Sequence, residues 1–294
     1  MTNNVLEKRD HAWTNKYHVL YVDQPVGVGF SFTEHEDGYI RTQHEVAEHL
    51  YEALQQFYSM FSDIKDHDLY IAGESYGGKF AQSLAYKIHL TNLQPHTSKI
   101  PLKGLILGNV LVDPENQLVY GEFLEGIGLI EKDDRIEVEA IQEKIKYLIR
   151  SENWSQAYHF RRELVDNVLD VMSFTCMLDY THGNYHGDSS YADFVTQNWV
   201  RRRIHAGSGE YEKDSKRVED LFEEDRMKSV RPWIEELLEY YPMLFYSGQF
   251  DMLIPYSSSK NFLRKLHWSG AENFGATQGR VWRVRDKIAG YYKL

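Results

Sequence analysis

The sequence predicts an α/β fold, in which helices cover both faces of a mostly parallel sheet and a helical insertion interrupts the chain. Two observations predict the sheet, since short apolar runs recur along the chain and segments with helical periodicity separate them. The insertion is predicted because such runs vanish between about residue 120 and about residue 230. We therefore expect a core domain of residues 1–119 and 231–294, with a helical cap at residues 120–230.

The first part of the core shows three apolar runs. Residues 19–22 precede a turn-rich Gln-Pro-Val-Gly-Val-Gly segment, which predicts a buried strand. Apolar residues recur at helical spacing over residues 46–61, which predicts an amphipathic helix. Residues 69–72 and 102–107 are further predicted strands, with helix-favouring residues at 79–90 between them.

The second part of the core repeats this alternation after the insertion. A mixed run of charges at residues 210–228 is typical of a solvated helix face, which needs no chemical explanation. Pro232 is expected to begin a helix that extends to Tyr240. A strand at residues 243–246, a helix at 257–266 and a last strand at 281–284 complete the predicted fold.

Composition excludes several classes of function. The 33 Lys and Arg residues against 44 Asp and Glu give a net charge of −11, which makes nucleic acid and anionic membranes poor partners. Apolar stretches are far shorter than the roughly 20 residues that span a bilayer. Residues 1–10 lack the pattern of a secretory signal. A single cysteine, Cys176, rules out an internal disulfide and a cysteine-based zinc site.

The segment Gly73-Glu74-Ser75-Tyr76-Gly77 matches the Gly-x-Ser-x-Gly nucleophile elbow. It lies between a predicted strand and a predicted helix, which is the context that the elbow requires. In such a turn the serine hydroxyl is exposed, and we expect glycines beside Ser75 because side chains would clash there. The alternative is a glycine-rich turn with an incidental serine.

Asp251 has the position of a triad acid. In the fold that carries this elbow, the acid follows the serine in the chain, lies on a loop after a late strand and precedes the histidine. Asp251 directly follows the strand predicted at residues 243–246 and the loop after it. The alternative is an aspartate that caps the next helix or closes a turn.

Four segments together resemble the serine carboxypeptidase family, and in particular its vitellogenic-like branch. They are HVLYVDQPVGVGFSFT (18–33), LYIAGESYGGK (69–79), GLILGN (104–109) with Asp113-Pro114, and YSGQFD (246–251). The resemblance implies an α/β-hydrolase fold with a helical cap, and release of single residues from the C-termini of peptides. It also implies a secreted, lysosomal or vacuolar location, with no metal or organic cofactor.

The resemblance assigns roles to four residues. Ser75 resembles the family's nucleophile and Asp251 its triad acid, while the backbone N–H of Tyr76 corresponds to an oxyanion donor. Glu74 resembles one of two carboxyl groups that share a proton and hold the terminal carboxylate of the substrate. Since two adjacent acids do not both ionise readily, this pair predicts activity at acidic pH.

The sequence also departs from the family pattern. It contains neither the Gly-His-x-x-Pro segment that carries the family's histidine nor the Asn-Gly-Gly-Pro-Gly loop, so we expect a chain truncated at both ends with an incomplete core. His267, which follows Asp251 in the chain, is a candidate replacement base at the end of a predicted helix. Two alternative functions stay open: a peptide-binding protein without catalysis, and an esterase or acyltransferase.

Two smaller motifs remain. Asn153-Trp154-Ser155 is an acceptor pattern for N-glycosylation, which matters only in the secretory pathway. His182 and His186 have a His-x-x-x-His spacing with Asp188 nearby. Glycines beside them favour a polar surface loop over a metal site on a helix.

Overall fold

A parallel three-stranded sheet lies at the centre of the computed structural model, which describes residues 8–182 and 190–294. Its strands are β1 (Leu69–Glu74), β2 (Leu102–Gly108) and β3 (Met243–Tyr246), with β2 in the middle. Because β2 runs parallel to both neighbours, the carboxyl ends of all three strands meet at one edge. The three strands predicted in these segments are confirmed.

Twelve helices are assigned within the described residues. They are α1 (Gln43–Met60), α2 (Gly77–Leu93), α3 (Pro114–Gln117), α4 (Tyr120–Gly126), α5 (Lys132–Arg150), α6 (Trp154–Met172), α7 (Ser190–Val195), α8 (Asn198–Arg203), α9 (Lys216–Leu221), α10 (Arg231–Leu238), α11 (Tyr256–Leu263) and α12 (Ala271–Ala276). Of these, α4 to α9 lie within residues 120–230, the range in which the sequence predicts a helical insertion. None of the helices described is long and apolar enough to cross a membrane.

Helix α1 shows how local sequence fixes an element. Thr42 accepts a hydrogen bond from the backbone N–H of Glu45, and the Glu45 carboxylate accepts one from the backbone N–H of Thr42. This capping box satisfies two of the N–H groups that a helix start leaves unpaired. Val46, Leu50 and Leu54 then bury one face of the helix, as their spacing predicts.

The main hydrophobic core joins the sheet to α1, α2, α10 and α11. The sheet and each of these helices contribute buried apolar side chains to it, among them Leu54, Ile88, Leu105, Leu107, Ile234 and Phe262. A second core packs α4, α5 and α6 together through Leu124, Ile145 and Leu164, and Met227 and Met252 also belong to it. Burying one such side chain stabilises the fold by roughly 1.5–3 kcal/mol.

The prediction of a buried strand at residues 19–22 is wrong. These residues form no strand, and Tyr21 is 81% exposed. A short apolar run becomes a strand only where a neighbouring edge offers hydrogen-bonding partners. The three-stranded sheet consists of β1, β2 and β3 alone and does not include this segment.

The last predicted strand exists, but it does not join the parallel sheet. Strand β4 (Arg280–Val284) pairs antiparallel with β5 (Lys287–Tyr292) in a separate two-stranded sheet. All five residues of β4 are exposed. A two-residue connection allows antiparallel pairing only, since a parallel crossover needs a dozen or more residues.

Candidate active site

Ser75 lies at the turn between β1 and α2, as the elbow motif predicts. Its φ of +53° is in the left-handed region, which a serine rarely adopts. Hydrogen bonds on both sides hold this backbone, since Ser75 N donates to Gly108 O at 2.9 Å and Ser75 O accepts from Leu111 N at 3.2 Å. The residue is exposed. The turn therefore presents the serine to solvent in a conformation that its neighbours impose.

Of the two glycines in the Gly-x-Ser-x-Gly motif, only Gly73 lies so close to neighbouring atoms that a side chain would clash. A Cβ atom on Gly73 would lie 2.3 Å from the carbonyl oxygen of Gly77, whereas a Cβ on Gly77 would meet no neighbouring atom within 4 Å. Gly78 is crowded instead, because its Cβ would lie 2.3 Å from Val110. The expectation that both motif glycines avoid a clash is thus wrong for Gly77.

Asp251 lies on the loop after β3 and is only 9% exposed. Its Oδ1 accepts hydrogen bonds from Leu253 N at 2.7 Å and Ile254 N at 2.9 Å, and its Oδ2 accepts one from Asn109 Nδ2 at 2.7 Å. Burial raises the pKa of the Asp251 carboxyl above its ordinary value, and these hydrogen bonds oppose that rise. The acid is held in one orientation from three directions.

Asn109 is a site residue whose role the motif did not specify. It follows β2 with a φ of +41°, and its Oδ1 accepts a hydrogen bond from Gly248 N at 3.0 Å. Its Nδ2 is the donor to Asp251 described above. Asn109 therefore fixes the loop after β3 and the carboxylate on it. The available signal was an asparagine directly after Gly108 at a strand end, where left-handed backbone favours Asn.

A row of three residues crosses the sheet beside Ser75. Glu74 on β1 pairs in register with Gly108 on β2, which pairs with Tyr246 on β3. A Cβ atom on Gly108 would lie 2.1 Å from Cζ of Tyr246, so the glycine leaves space for the phenol ring. The Tyr246 hydroxyl then donates to Glu74 Oε2 at 3.2 Å. We call Glu74, Asn109, Tyr246 and Asp251 the sheet-edge group.

Tyr76 is the N-cap residue directly before α2, at a helix start where backbone N–H groups lack intrahelical acceptors. Its side chain has a role that the motif did not reveal, since the hydroxyl donates to Oδ2 of Asp225 at 2.6 Å. Burial raises the pKa of the Tyr76 phenol well above its ordinary value, and the nearby Asp225 carboxylate adds to this rise. The interpretation of residues 210–228 as a solvated face is wrong at Asp225, which is 4% exposed.

The histidines named above lie elsewhere. His267 has an 83% exposed side chain, and its Nδ1 lies 3.3 Å from Oε1 of Glu235. His182 contacts Asp179, while His186 and Asp188 lie outside the described residues. In residues 8–182 and 190–294, no histidine forms a hydrogen bond with Ser75 or Asp251. The same residues contain no cluster of three side chains that could hold a metal ion.

Comparison with known proteins identifies the family. The family model for serine carboxypeptidases matches residues 1–294. The chain is 36% identical over 301 residues to the venom serine carboxypeptidase of Apis mellifera, and the match covers 99% of this chain and 64% of that protein. It is 33% identical over 302 residues to the vitellogenic carboxypeptidase of Aedes aegypti, with the same two coverages of 99% and 64%.

A solved structure has a fold similar to that of this chain. The crystal structure of Kex1(Δ)p, a prohormone-processing carboxypeptidase from Saccharomyces cerevisiae, superimposes with a TM-score of 0.78 at 19% identity. The superposition covers 92% of this chain and 66% of that one, and it shows the α/β-hydrolase fold. The chain spans about 64% of the length of the bee and mosquito relatives. From the match over its whole length, this chain belongs to the serine carboxypeptidase family.

Proposed function

We propose that this chain carries the nucleophile and the acid of a serine carboxypeptidase site, with Ser75 and Asp251 in these roles. The observation that carries the proposal is the elbow: an exposed serine with a φ of +53°, between a parallel strand and a helix. Asp251 supports it, because its buried carboxylate follows β3 at the same edge of the sheet. Family membership supplies the reaction class.

In the proposed reaction, the Ser75 hydroxyl attacks the last peptide carbonyl of the substrate and gives its proton to an imidazole base. The backbone N–H of Tyr76 stabilises the negative oxygen of the tetrahedral intermediate. The imidazolium then protonates the departing amino acid, and water releases the shortened peptide from Ser75. Asp251 orients the imidazole and stabilises its charged form. The chemistry needs no metal and no organic cofactor.

An assay of Ser75 on this chain needs an added base in place of the family's histidine. The family's Gly-His-x-x-Pro segment does not occur in these 294 residues. Loss of a triad member generally lowers the rate by several orders of magnitude. Free imidazole added to the buffer can take the proton from Ser75, so it allows the reactivity of the serine to be assayed on this chain.

We propose that the substrates are peptides with a free C-terminal carboxylate, which Glu74 holds by a hydrogen bond. The exposed position of Glu74 directly before Ser75 supports this role. Two peptides of the same sequence, one ending in a carboxylate and one in an amide, test it by calorimetry. We expect the acid peptide to bind about tenfold to a hundredfold more tightly, the range for a hydrogen bond to a charged group.

Variants at Glu74 sharpen this test. Glu74→Ala should remove the preference for the acid peptide, whereas Glu74→Gln should keep it, because an amide also donates a hydrogen bond. Glu272→Ala changes an exposed acid on α12 and serves as the matched control. Equal affinity of the unmodified chain for both peptides contradicts the proposed substrate class.

The same samples separate the alternative functions. Tight binding of the acid peptide without release of its last residue, even with imidazole, indicates a peptide-binding protein without catalysis. Hydrolysis of small esters without hydrolysis of peptides indicates an esterase. Release of single C-terminal residues, detected by mass spectrometry, supports the carboxypeptidase.

We further propose the division into a core of residues 1–119 and 231–294 and a cap of residues 120–230, and a secreted or lysosomal location. Asn153 bears on the location, because it is exposed at the turn before α6 and its side chain caps no helix N–H group. It carries the sole Asn-x-Ser/Thr pattern of the sequence. Expression in a eukaryotic cell behind an added secretory signal should therefore give a glycan that Asn153→Gln abolishes.

A further inference from the structure

The segment that follows α9 lies against the elbow through a buried set of polar contacts. Its Asp225 is 4% exposed, and its carboxylate meets two other elements. Oδ2 accepts a hydrogen bond from the Tyr76 hydroxyl and another from Gln43 Nε2, both at 2.6 Å. Oδ1 accepts from the backbone N–H of Gln43 at 3.2 Å. One carboxylate thus connects the start of α1 to the elbow.

Lys79 attaches the same segment from the other side. It is fully buried, and its Nζ donates to the carbonyl oxygens of Asp225 at 2.6 Å, Arg226 at 3.3 Å and Lys228 at 2.5 Å. Because Lys79 and Tyr76 both belong to the strand-to-helix turn and the helix after it, the segment is fixed to the elbow twice. We call Gln43, Tyr76, Lys79 and Asp225 the buried network.

The position of Asp225 agrees with elementary electrostatics. Gln43 is the first residue of α1, an 18-residue helix, so its N–H is one of the unpaired donors at a helix start. A negative carboxylate is favoured there by the helix dipole. The start of α1 therefore stabilises the buried Asp225 carboxylate in one orientation. In that orientation the carboxylate accepts the hydrogen bond of the Tyr76 hydroxyl and holds it in place.

We propose that Asp225 is a positioning residue for the nucleophile elbow, acting through the Tyr76 phenol. The N–H of Tyr76 belongs to the peptide bond that links it to Ser75, so an anchored Tyr76 side chain limits rotation of that peptide. Oxyanion donors must lie within a few tenths of an ångström of their working position. This inference rests on the proposed function, in which that N–H receives the negative oxygen.

Hydrogen exchange at the elbow tests the anchor without any need for catalysis. The variants are Asp225→Ala, Tyr76→Phe and both together, and Glu224→Ala changes the exposed neighbouring acid as the matched control. Mass spectrometry follows a peptide that spans residues 73–80, with α5 as the reference for global opening. We expect each single variant to speed exchange at the elbow by about tenfold to a hundredfold relative to α5, the range for a lost hydrogen bond to a charged group.

The double variant decides between a direct and an indirect role. If Asp225 acts through the phenol, then adding Tyr76→Phe to Asp225→Ala produces little further change. If the double variant speeds exchange at the elbow by the product of the two single increases, the proposal is overturned. An exchange rate at the elbow that does not change in Tyr76→Phe also overturns it. Equal acceleration in α5 and in the elbow also overturns it, because that pattern reports global destabilisation alone.

Modification of Ser75 by a fluorophosphonate separates this proposal from the proposed function. With imidazole present, Tyr76→Phe should lower the limiting rate of modification about tenfold while the concentration of reagent for half-maximal rate stays unchanged, which loss of folded protein alone does not produce. An unchanged limiting rate contradicts positioning. If Ser75 of the unmodified chain does not react at all, the proposed function fails, whereas hydrogen exchange still decides the role of Asp225.

Discussion

The two sides of Ser75 hold their polar groups in different ways. The sheet-edge group lies where three strands end, and two of its members, Glu74 and Tyr246, are exposed. The buried network lies behind the elbow, where Lys79 and Asp225 are almost fully buried and bonded. An exposed polar group exchanges water for its partner at little net gain, whereas a buried one is costly to leave unpaired. We therefore expect the stability of the fold to depend more on the buried network than on the sheet-edge group, which contains residues with proposed catalytic and substrate-binding roles.

The largest loss of stability is expected when Lys79 is replaced. Lys79→Met keeps much of the side-chain volume but leaves three carbonyl groups, including that of buried Asp225, without their donor, so we expect a loss of about 4 kcal/mol in the free energy of unfolding. Lys87→Met is the matched control, since Lys87 is also on α2 but pairs with Glu48 at the surface. Its cost should stay below about 1 kcal/mol. Urea unfolding compares the two, and equal costs contradict the difference between the sides.

The pH dependence of stability provides a second test. Burial lowers the pKa of Lys79 to about 7 in the folded chain, against an ordinary value of 10.5. Between these two values the unfolded chain holds the proton and the folded chain does not, so stability rises as the pH is raised. Relative to Lys79→Met, the free energy of unfolding should therefore rise between pH 7 and pH 10, by at most about 1.4 kcal/mol for each pH unit. Parallel curves for the two proteins contradict a buried lysine with this pKa.

The elbow itself offers a matched pair of glycines. Gly73→Ala places a Cβ against the backbone oxygen of Gly77, which cannot move without shifting the turn, so we expect a cost of about 3 kcal/mol. Gly77→Ala meets open space and should change stability by less than about 1 kcal/mol, in the stabilising direction. Thermal unfolding measures both. Similar losses would mean that the turn is crowded on both sides of Ser75.

The smallest loss of stability is expected when a member of the sheet-edge group is replaced. Asn109→Ala removes the side-chain partner of Asp251 Oδ2 and of Gly248 N, while Leu253 and Ile254 still donate to Asp251. We expect a loss of about 1–2 kcal/mol. Asn116→Ala, which removes an asparagine bonded to a different acid, Asp113, is the control for a loss of this kind. A loss for Asn109→Ala as large as that of Lys79→Met would contradict the comparison.

Sequence predicted most of the fold because its signals are local. The strands ending at Glu74, Gly108 and Tyr246, and the helices after them, follow from apolar runs and helical periodicity. The strand expected at residues 19–22 failed, because pairing needs an edge that no local pattern reports. Likewise, periodicity does not distinguish a strand of the central sheet from the separate hairpin that β4 forms.

The two proposed catalytic residues came from sequence signals. The elbow motif pointed to Ser75, and the position after a late strand pointed to Asp251 as the proposed acid. Asp225 was missed for a physical reason: a carboxylate in a mixed charge run is usually solvated, and its partners Tyr76 and Gln43 are 149 and 182 residues distant. Tyr246 was missed because its contact with Glu74 depends on the register of three strands.

One measurement tests the central claim most directly: the formation of a fluorophosphonate adduct on the purified chain, with and without imidazole, mapped by peptide mass spectrometry. We expect an adduct at Ser75 that forms faster as imidazole is added and does not form in Ser75→Ala. A folded chain with no adduct at Ser75, with or without imidazole, would contradict the claim that the elbow presents a carboxypeptidase nucleophile.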